Sequence, residues 1–154
     1  MERTLVLLKP DALQRGLIGR IITRFEEKGL KIIGLKMMKM PPALAKEHYA
    51  HLTSKPFYPG LEQFMTHNPI VAMCVEGVEA VEATRSIVGA TNARKAGAGT
   101  IRGDFSMSTS RNVIHASDSL ETAKKEVARF FREGELFAYP SVLNGYFYAE
   151  DELE

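Results

Sequence analysis

The chain has 154 residues, 45% of them apolar and 25% charged, the ordinary balance for one soluble globular domain built on a hydrophobic core. Its 20 basic and 19 acidic side chains leave a formal charge of +1, which excludes the broad basic footprint of a nucleic-acid binder, so any anion site has to be built locally. The single cysteine, Cys74, rules out an internal disulfide, and no apolar run approaches the roughly 18 residues of a membrane span. The first residues carry no cleavable leader pattern, so a cytoplasmic, unanchored protein in a reducing setting is expected, with no membrane partner.

In chain order, Thr4 to Leu8 is an apolar run stopped by Lys9 and Pro10, as in an interior strand that ends at a loop. Ile18, Ile21, Ile22 and Phe25 follow at helical spacing and Gly29 closes them, which predicts an amphipathic helix with a glycine cap. Leu30 to Met40 reads as a second strand. Pro41 and Pro42 then open a helix in which Ala45, Tyr49 and Leu52 share a face. Lys55 to Pro69 is punctuated by proline and predicts a short helix held between loops. Ile70 to Glu76 is a third strand that buries Cys74, and Val78 to Val88 a further helix. Gly89 to Gly103 is glycine-rich and irregular, long enough to suggest function. Asn112 to Ala116 predicts the last core strand, and Leu120, Ala123, Val127 and Phe130 or Phe131 the final helix. From about residue 133 a tail rich in tyrosine and acid follows. Residues 1–154 therefore read as one domain. Strands separated by helices, with two βαβ-like crossovers, favour an α/β fold: a ferredoxin-like sandwich in which a four-stranded antiparallel sheet is covered by helices.

Among the four histidines, His48 and His51 lie three apart on a helix, but no third ligand stands at metal-binding spacing, so no protein-held metal is expected. His67 precedes Asn68 and Pro69 and reads as a turn residue. His115 sits in "NVIHASDS", where an apolar run breaks at once into Ser117, Asp118 and Ser119, candidate caps for the next helix. Taken alone, this histidine is either packed at a strand end or a working group. Arg85 falls at the edge of an apolar helical stripe and must snorkel or find an anion. Lys9 and Arg102 are cations at a strand end and in a glycine-rich loop; with Thr91 and Asn112 they supply what a phosphate chain needs. "GATNARKAGAGT" is neither a P-loop nor a dinucleotide fingerprint, and "RGD" at Arg102 to Asp104 has no exported context to make it an adhesion tripeptide.

With "KPDALQRG", "KPFYPGL", "GATN", "GTIRGDF" and "NVIHASD" in that order, the chain resembles nucleoside diphosphate kinases from "ERTLVLLKPDALQRGLIG" to "KKEVARFF". Their active-site signature, N-x-x-H-(G or A)-S-D, is met at His115. The resemblance implies transfer of the terminal phosphoryl group from a nucleoside triphosphate, typically ATP, to a nucleoside diphosphate through a phosphohistidine at His115. Mg2+ would be held by the nucleotide phosphates. It implies that Glu126 accepts a hydrogen bond from one ring nitrogen, that Ser117 supports Glu126, and that Tyr49 stands near the transferred group. Lys9, Arg85, Thr91, Arg102 and Asn112 match residues that bind phosphates and ribose, and Phe57, with Leu61 beside it, matches the aromatic that stacks on the base. Relatives often carry prolines in the loop after "TN", where this chain has Ala93 and Ala98, and their longer tails usually hold a tryptophan that is missing here. Such relatives form hexamers, with tetramers the alternative, so a homo-oligomer is expected.

Overall fold

The computed structural model describes residues 1–153. In chain order the elements are β1 (Glu2–Leu8), α1 (Pro10–Gln14), α2 (Ile18–Glu27), β2 (Lys31–Met38), α3 (Pro42–His48), α4 (Tyr58–His67) and β3 (Ile70–Gly77). They continue with α5 (Ala80–Val88), α6 (Ile101–Phe105), β4 (Ile114–Ala116), α7 (Leu120–Phe130) and α8 (Asn144–Phe147). The sheet order is β2-β3-β1-β4 with every pairing antiparallel, the ferredoxin-like arrangement expected from the strand and helix alternation.

Both faces of the sheet are covered, which explains why β1 and β3 read as unbroken apolar runs instead of alternating patterns. Along β1, Val6 and Leu8 join a core with Ile21 and Phe25 of α2 and Val88 of α5. Leu5 and Leu7 point the other way, into a second core with Ala45 of α3, Met65 of α4 and Val127 and Phe130 of α7. The period of two in the strand thus sorts one run into two cores. Cys74 is fully buried in the second core, and burial raises its thiol to about 12, so it is an inert apolar filler.

Several boundaries differ from the sequence pattern. The helix opened by Pro41 stops at His48, because Tyr49 leaves the helical region (φ −103°, ψ 28°) and residues 50–52 form a 3-10 turn. Tyr49 still enters the second core, with Leu52 packed against it. The aromatic Lys55 to Pro69 segment holds a full ten-residue helix, with Pro59 in its first turn, where a missing N–H costs nothing. Pro10 does the same for α1, a short helix where a loop was expected. Gly89 to Gly103 is irregular only in part: residues 93–95 form a 3-10 turn, and α6 starts at Ile101 with the Thr100 hydroxyl capping Gly103 N at 3.0 Å. The last strand is shorter than Asn112 to Ala116 and lies at the sheet edge, since Val113 takes a positive φ of 62° and ends the ladder at Ile114.

The tail packs partly on its own chain. Phe137 N donates to Ile33 O at 2.7 Å beside the bulge in β2, and the Tyr139 hydroxyl donates to Ile32 O at 2.8 Å. The ring of Phe147 closes over Gly29, whose positive φ of 90° also favours glycine, and the Tyr148 hydroxyl lies over Gly77.

Candidate active site

The site forms where β1 ends beside the start of β4. His115 is the cross-strand partner of Leu7, and directly opposed residues share a face, so its imidazole enters the layer of α3 and α7. Two residues earlier the chain makes a γ-turn: Ile114 N donates to Asn112 O at 2.8 Å around the positive φ of Val113. A β-branched residue in that region costs about 1–3 kcal/mol, and neighbouring groups hold it there. Asp11 Oδ2 accepts from Val113 N at 3.1 Å, and Val113 O accepts from Lys9 N at 2.9 Å.

Around this turn lies a cleft of about 720 Å3 whose lining includes Lys9, Tyr49, Phe57, Leu61, Arg85, Thr91, Arg102, Asn112 and His115. Of the sequence-derived site residues, Ser117 and Glu126 lie outside the lining, on the far side of His115 from the cleft. Among the described residues the lining carries Lys9, Arg85, Arg102 and Arg111 but no carboxylate. Such a wall suits a polyanion and offers a bare divalent cation no oxygen ligands with charge. Lys9 Nζ donates to Asn112 Oδ1 at 2.7 Å, and the Asn112 amide donates to Thr91 O at 3.0 Å and Thr109 O at 2.8 Å. Burial, with the nearby Arg102 charge, lowers the Lys9 ammonium to about 8, partly offset by Asp11.

Arg102 is buried and locked by three backbone carbonyls: Gly89 O at 3.0 Å, Ile114 O at 2.6 Å and Asn112 O at 3.4 Å. Burial and the charge of Arg85 bring its guanidinium down to about 10. The tripeptide Arg102 to Asp104 is therefore tied into the fold and is not an exposed adhesion loop. Gly103 approaches the backbone so closely that a Cβ would lie 2.0 Å from Gly97 O, and Asp104 pairs with Arg24 while accepting from Gly99 N at 2.9 Å. Arg85 and Phe57 stand exposed at the mouth, Phe57 with 57% of its surface free.

Beneath His115, Glu126 projects from the second turn of α7, a helix capped by the Ser119 hydroxyl at Thr122 N. Its Oε2 lies 2.9 Å from His115 Nε2 and accepts from the Ser117 hydroxyl at 2.7 Å. Burial opposes the carboxylate charge, but the hydrogen bond and charge of His115 and the Ser117 hydroxyl outweigh it, and the acid is held below its ordinary range. A carboxylate on Nε2 fixes the proton there and leaves the Nδ1 lone pair free. Tyr49 lines the cleft as a buried residue, and its hydroxyl has no hydrogen-bond partner among the described residues.

Sequence reasoning missed His48, weighed only as a metal partner of His51. It is buried, with its ring centroid 4.8 Å from that of His115 at 80° and its Nδ1 3.9 Å from Glu126 Oε1. Burial and the neighbouring His115 depress its imidazole to about 3, despite Glu126. The ligand atoms of His48, His115 and Glu126 lie within 4.8 Å of one another, close enough to surround a metal. Two of these residues already accept hydrogen bonds, Glu126 Oε2 from His115 and Ser117 and His48 Nδ1 from Arg129. No spacing rule could have found this cluster, since α3 and α7 lie far apart in the sequence and touch only once both pack on the sheet.

The profile of the family described as "Nucleoside diphosphate kinase" matches residues 2–136. The chain is 50% identical over 153 residues to the nucleoside diphosphate kinase of Parabacteroides distasonis, covering 99% of this chain and 100% of that one. To a mitochondrial nucleoside diphosphate kinase of Columba livia it is 52% identical over 140 residues, covering 91% of this chain and 77% of the relative. Its structure is similar to that of a halophilic nucleoside diphosphate kinase from Halobacterium salinarum in complex with CDP. The TM-score is 0.94 at 45% identity, with 96% of this chain and 99% of that chain covered.

Proposed function

This chain belongs to the nucleoside diphosphate kinase family and moves the terminal phosphoryl group of a nucleoside triphosphate to a nucleoside diphosphate through a phosphohistidine; we propose that His115 is the residue that carries the group. The observation that supports this most is the His115 and Glu126 pair at the floor of a cation-lined cleft, with Nε2 engaged and Nδ1 open to attack. In the first half-reaction Nδ1 forms a bond to the terminal phosphorus as the bond to the bridging oxygen breaks, and the nucleoside diphosphate leaves with that oxygen. In the second half the oxygen of an incoming diphosphate takes the group back from Nδ1. Neutral imidazole is nucleophilic near pH 7, and its phosphoramidate is reactive enough to pass the group onward.

Phosphoryl transfer needs chiefly positioning and charge stabilisation. Lys9 and Arg102 are pre-set by their hydrogen bonds to face the moving phosphoryl group, while Arg85, Thr91 and Asn112 hold the rest of the polyphosphate and the ribose. Glu126, steadied by Ser117, stabilises the positive charge that develops on the imidazole. Tyr49 stands beside the transferred group. Family members generally use magnesium nucleotides; the lining, free of carboxylates among the described residues, fits an ion held by the nucleotide phosphates, which would supply charge neutralisation there. Phe57, with Leu61 behind it, offers the base an apolar stacking face. Stacking reads a π-surface and not a hydrogen-bond pattern, so purine and pyrimidine diphosphates, ribo or deoxy, are all accepted, with purines moderately preferred.

Residues 1–154 act as one catalytic domain, with the aromatic tail from about 133 serving assembly. Exposed Val142 (89%) and Tyr146 (87%) in the tail and Leu35 and Met37 on edge strand β2 support a homo-oligomer, a hexamer before a tetramer. The proline-free loop from Thr91 to Gly99 would make that hexamer dissociate more readily. No helix among the described residues is long and apolar enough to cross a membrane, and action in the cytoplasm fits that. The test of the reading is incubation with terminally labelled ATP and magnesium. Acid-labile, alkali-stable label on the wild-type chain, and none on a folded His115→Ala variant, is expected; label retained by that variant would reassign the nucleophile.

A further inference from the structure

Behind Glu126 lies a chain of contacts that the transfer step does not explain. Arg129, one turn further along α7, directs Nη1 to His48 Nδ1 at 3.2 Å and Nε to Glu47 Oε1 at 3.2 Å. A guanidinium has no lone pair, so His48 Nδ1 must be the acceptor and its proton sits on Nε2. Glu126 Oε1 lies 3.9 Å from the same Nδ1 and takes part in no hydrogen bond among the described residues. His48 Nδ1 thus stands close to both the Arg129 guanidinium and the Glu126 carboxylate, and that carboxylate in turn holds His115. The Glu47 carboxylate at the outer end is 64% exposed, and such a solvated pair is a weak tether. Glu126 stands three residues before Arg129 on α7, the spacing at which helix side chains are neighbours, so its carboxylate is the acceptor a freed guanidinium would turn to.

We propose that His48 is a positioning residue that insulates Glu126: by taking the Arg129 guanidinium on Nδ1, its neutral imidazole keeps that cation off Oε1 and reserves the carboxylate charge for His115. Deepening the phosphohistidine reading, this assigns the buried second histidine a reason to be a histidine. A neutral ring packed edge-to-face against His115, Tyr49 and Phe130 fills the space, and only its lone pair occupies Arg129. Without the lone pair the guanidinium turns to Glu126, which it matches as a planar fork. A carboxylate so neutralised holds His115 less firmly and stabilises less of the charge that builds on the ring during transfer.

The test is the single-turnover rate of phosphohistidine formation in four chains. His48→Phe keeps an aromatic ring but no acceptor, and is expected to slow phosphorylation about 10- to 100-fold, the cost of a misplaced catalytic group, with the KM for ATP unchanged. Arg129→Met, which removes the cation, is expected to run at the wild-type rate. The double variant is expected to recover most of the loss, a rescue that damaged packing alone would not give. His48→Asn, whose Oδ1 stands near the place of Nδ1, is expected to keep most of the rate. A double variant as slow as His48→Phe, or a His48→Phe as fast as wild type, overturns the proposal. Should His48→Phe not fold, His48→Gln takes its place, since its amide lies further out and leaves Arg129 without its acceptor. Wild-type chain that takes no label would overturn the transfer reading itself, whereas labelled wild type without the rescue overturns only the insulation.

Discussion

Lys9 Nζ and Asn112 Oδ1 lie 2.7 Å apart, tying the end of β1 to the turn that precedes His115. The ammonium is lowered to about 8 by burial and by Arg102, against the pull of Asp11. A nucleoside diphosphate placed on it favours the charged form again. Binding at about pH 8.5 should therefore take up a proton, since near and above pH 8 the free site is in part deprotonated and the bound site is not. Titration calorimetry of ADP in buffers of different ionisation enthalpy checks this. Equal observed enthalpies in all buffers, or uptake that persists in Lys9→Gln, would remove Lys9 as the source.

Glu126→Gln should preserve the fold, because the amide can still accept from Ser117 or from His115 Nε2. It loses the negative charge that supports the ring, and rapid-quench phosphorylation should slow by roughly 10²- to 10⁴-fold, the range for positioned proton-handling groups. An unchanged rate would exclude Glu126 from the chemistry.

Arg102→Ala should lose both stability and turnover. Three carbonyls, those of Gly89, Asn112 and Ile114, lose a donor, and a buried acceptor left unpaired costs about 1–3 kcal/mol. Urea unfolding should show a clearly lower midpoint, and kcat should fall more than the affinity for ADP. A variant as stable as wild type would mean that other donors or water replace the guanidinium.

Acid should weaken the fold through His48. Its imidazole is held to about 3 in the folded chain by burial and by His115, against an ordinary 6.5, with Arg129 and His51 adding to the depression and Glu126 opposing it. The unfolded chain therefore binds the extra proton, and stability is lost progressively as pH falls from about 6.5 toward 3. Glu126, held below its usual value, adds its own loss only below about 4.5. Melting temperature between about pH 7 and 5 should drop for wild type and stay flatter for His48→Phe. Parallel curves would place the acid sensitivity elsewhere.

Truncation after Pro140 should lower the assembly state, because it removes Val142, Tyr146 and Phe147 while keeping Leu136 in the core and Tyr139 on Ile32. Light scattering on both chains checks this. A monomeric intact chain, or an assembly unchanged by truncation, would show that the tail does not direct assembly.

Local pattern alone determined much of this protein. The apolar runs at β1 and β3, the helical spacing from Ile18 to Phe25 and the alternation of strand and helix carry the sheet and its cover, because period and burial are written residue by residue. The motif around the proposed His115 nucleophile was legible for the same reason, its residues being contiguous. Tertiary structure decided what depends on elements meeting across the sheet. His48 looked like half of a metal pair with His51, a neighbour in sequence, yet it packs on His115 and takes Arg129 from α7. Arg102 read as a loop cation and is a buried strut between three carbonyls, a role fixed by where the ends of α5 and β4 come to lie. The strand expected from Asn112 begins only at Ile114, since the hydrogen bonds of Asp11 and Lys9 from the far end of the chain hold Val113 in a conformation its own side chain disfavours. Spacing along a chain records which faces are apolar, and it carries no record of which polar groups those faces bring within three ångströms of each other.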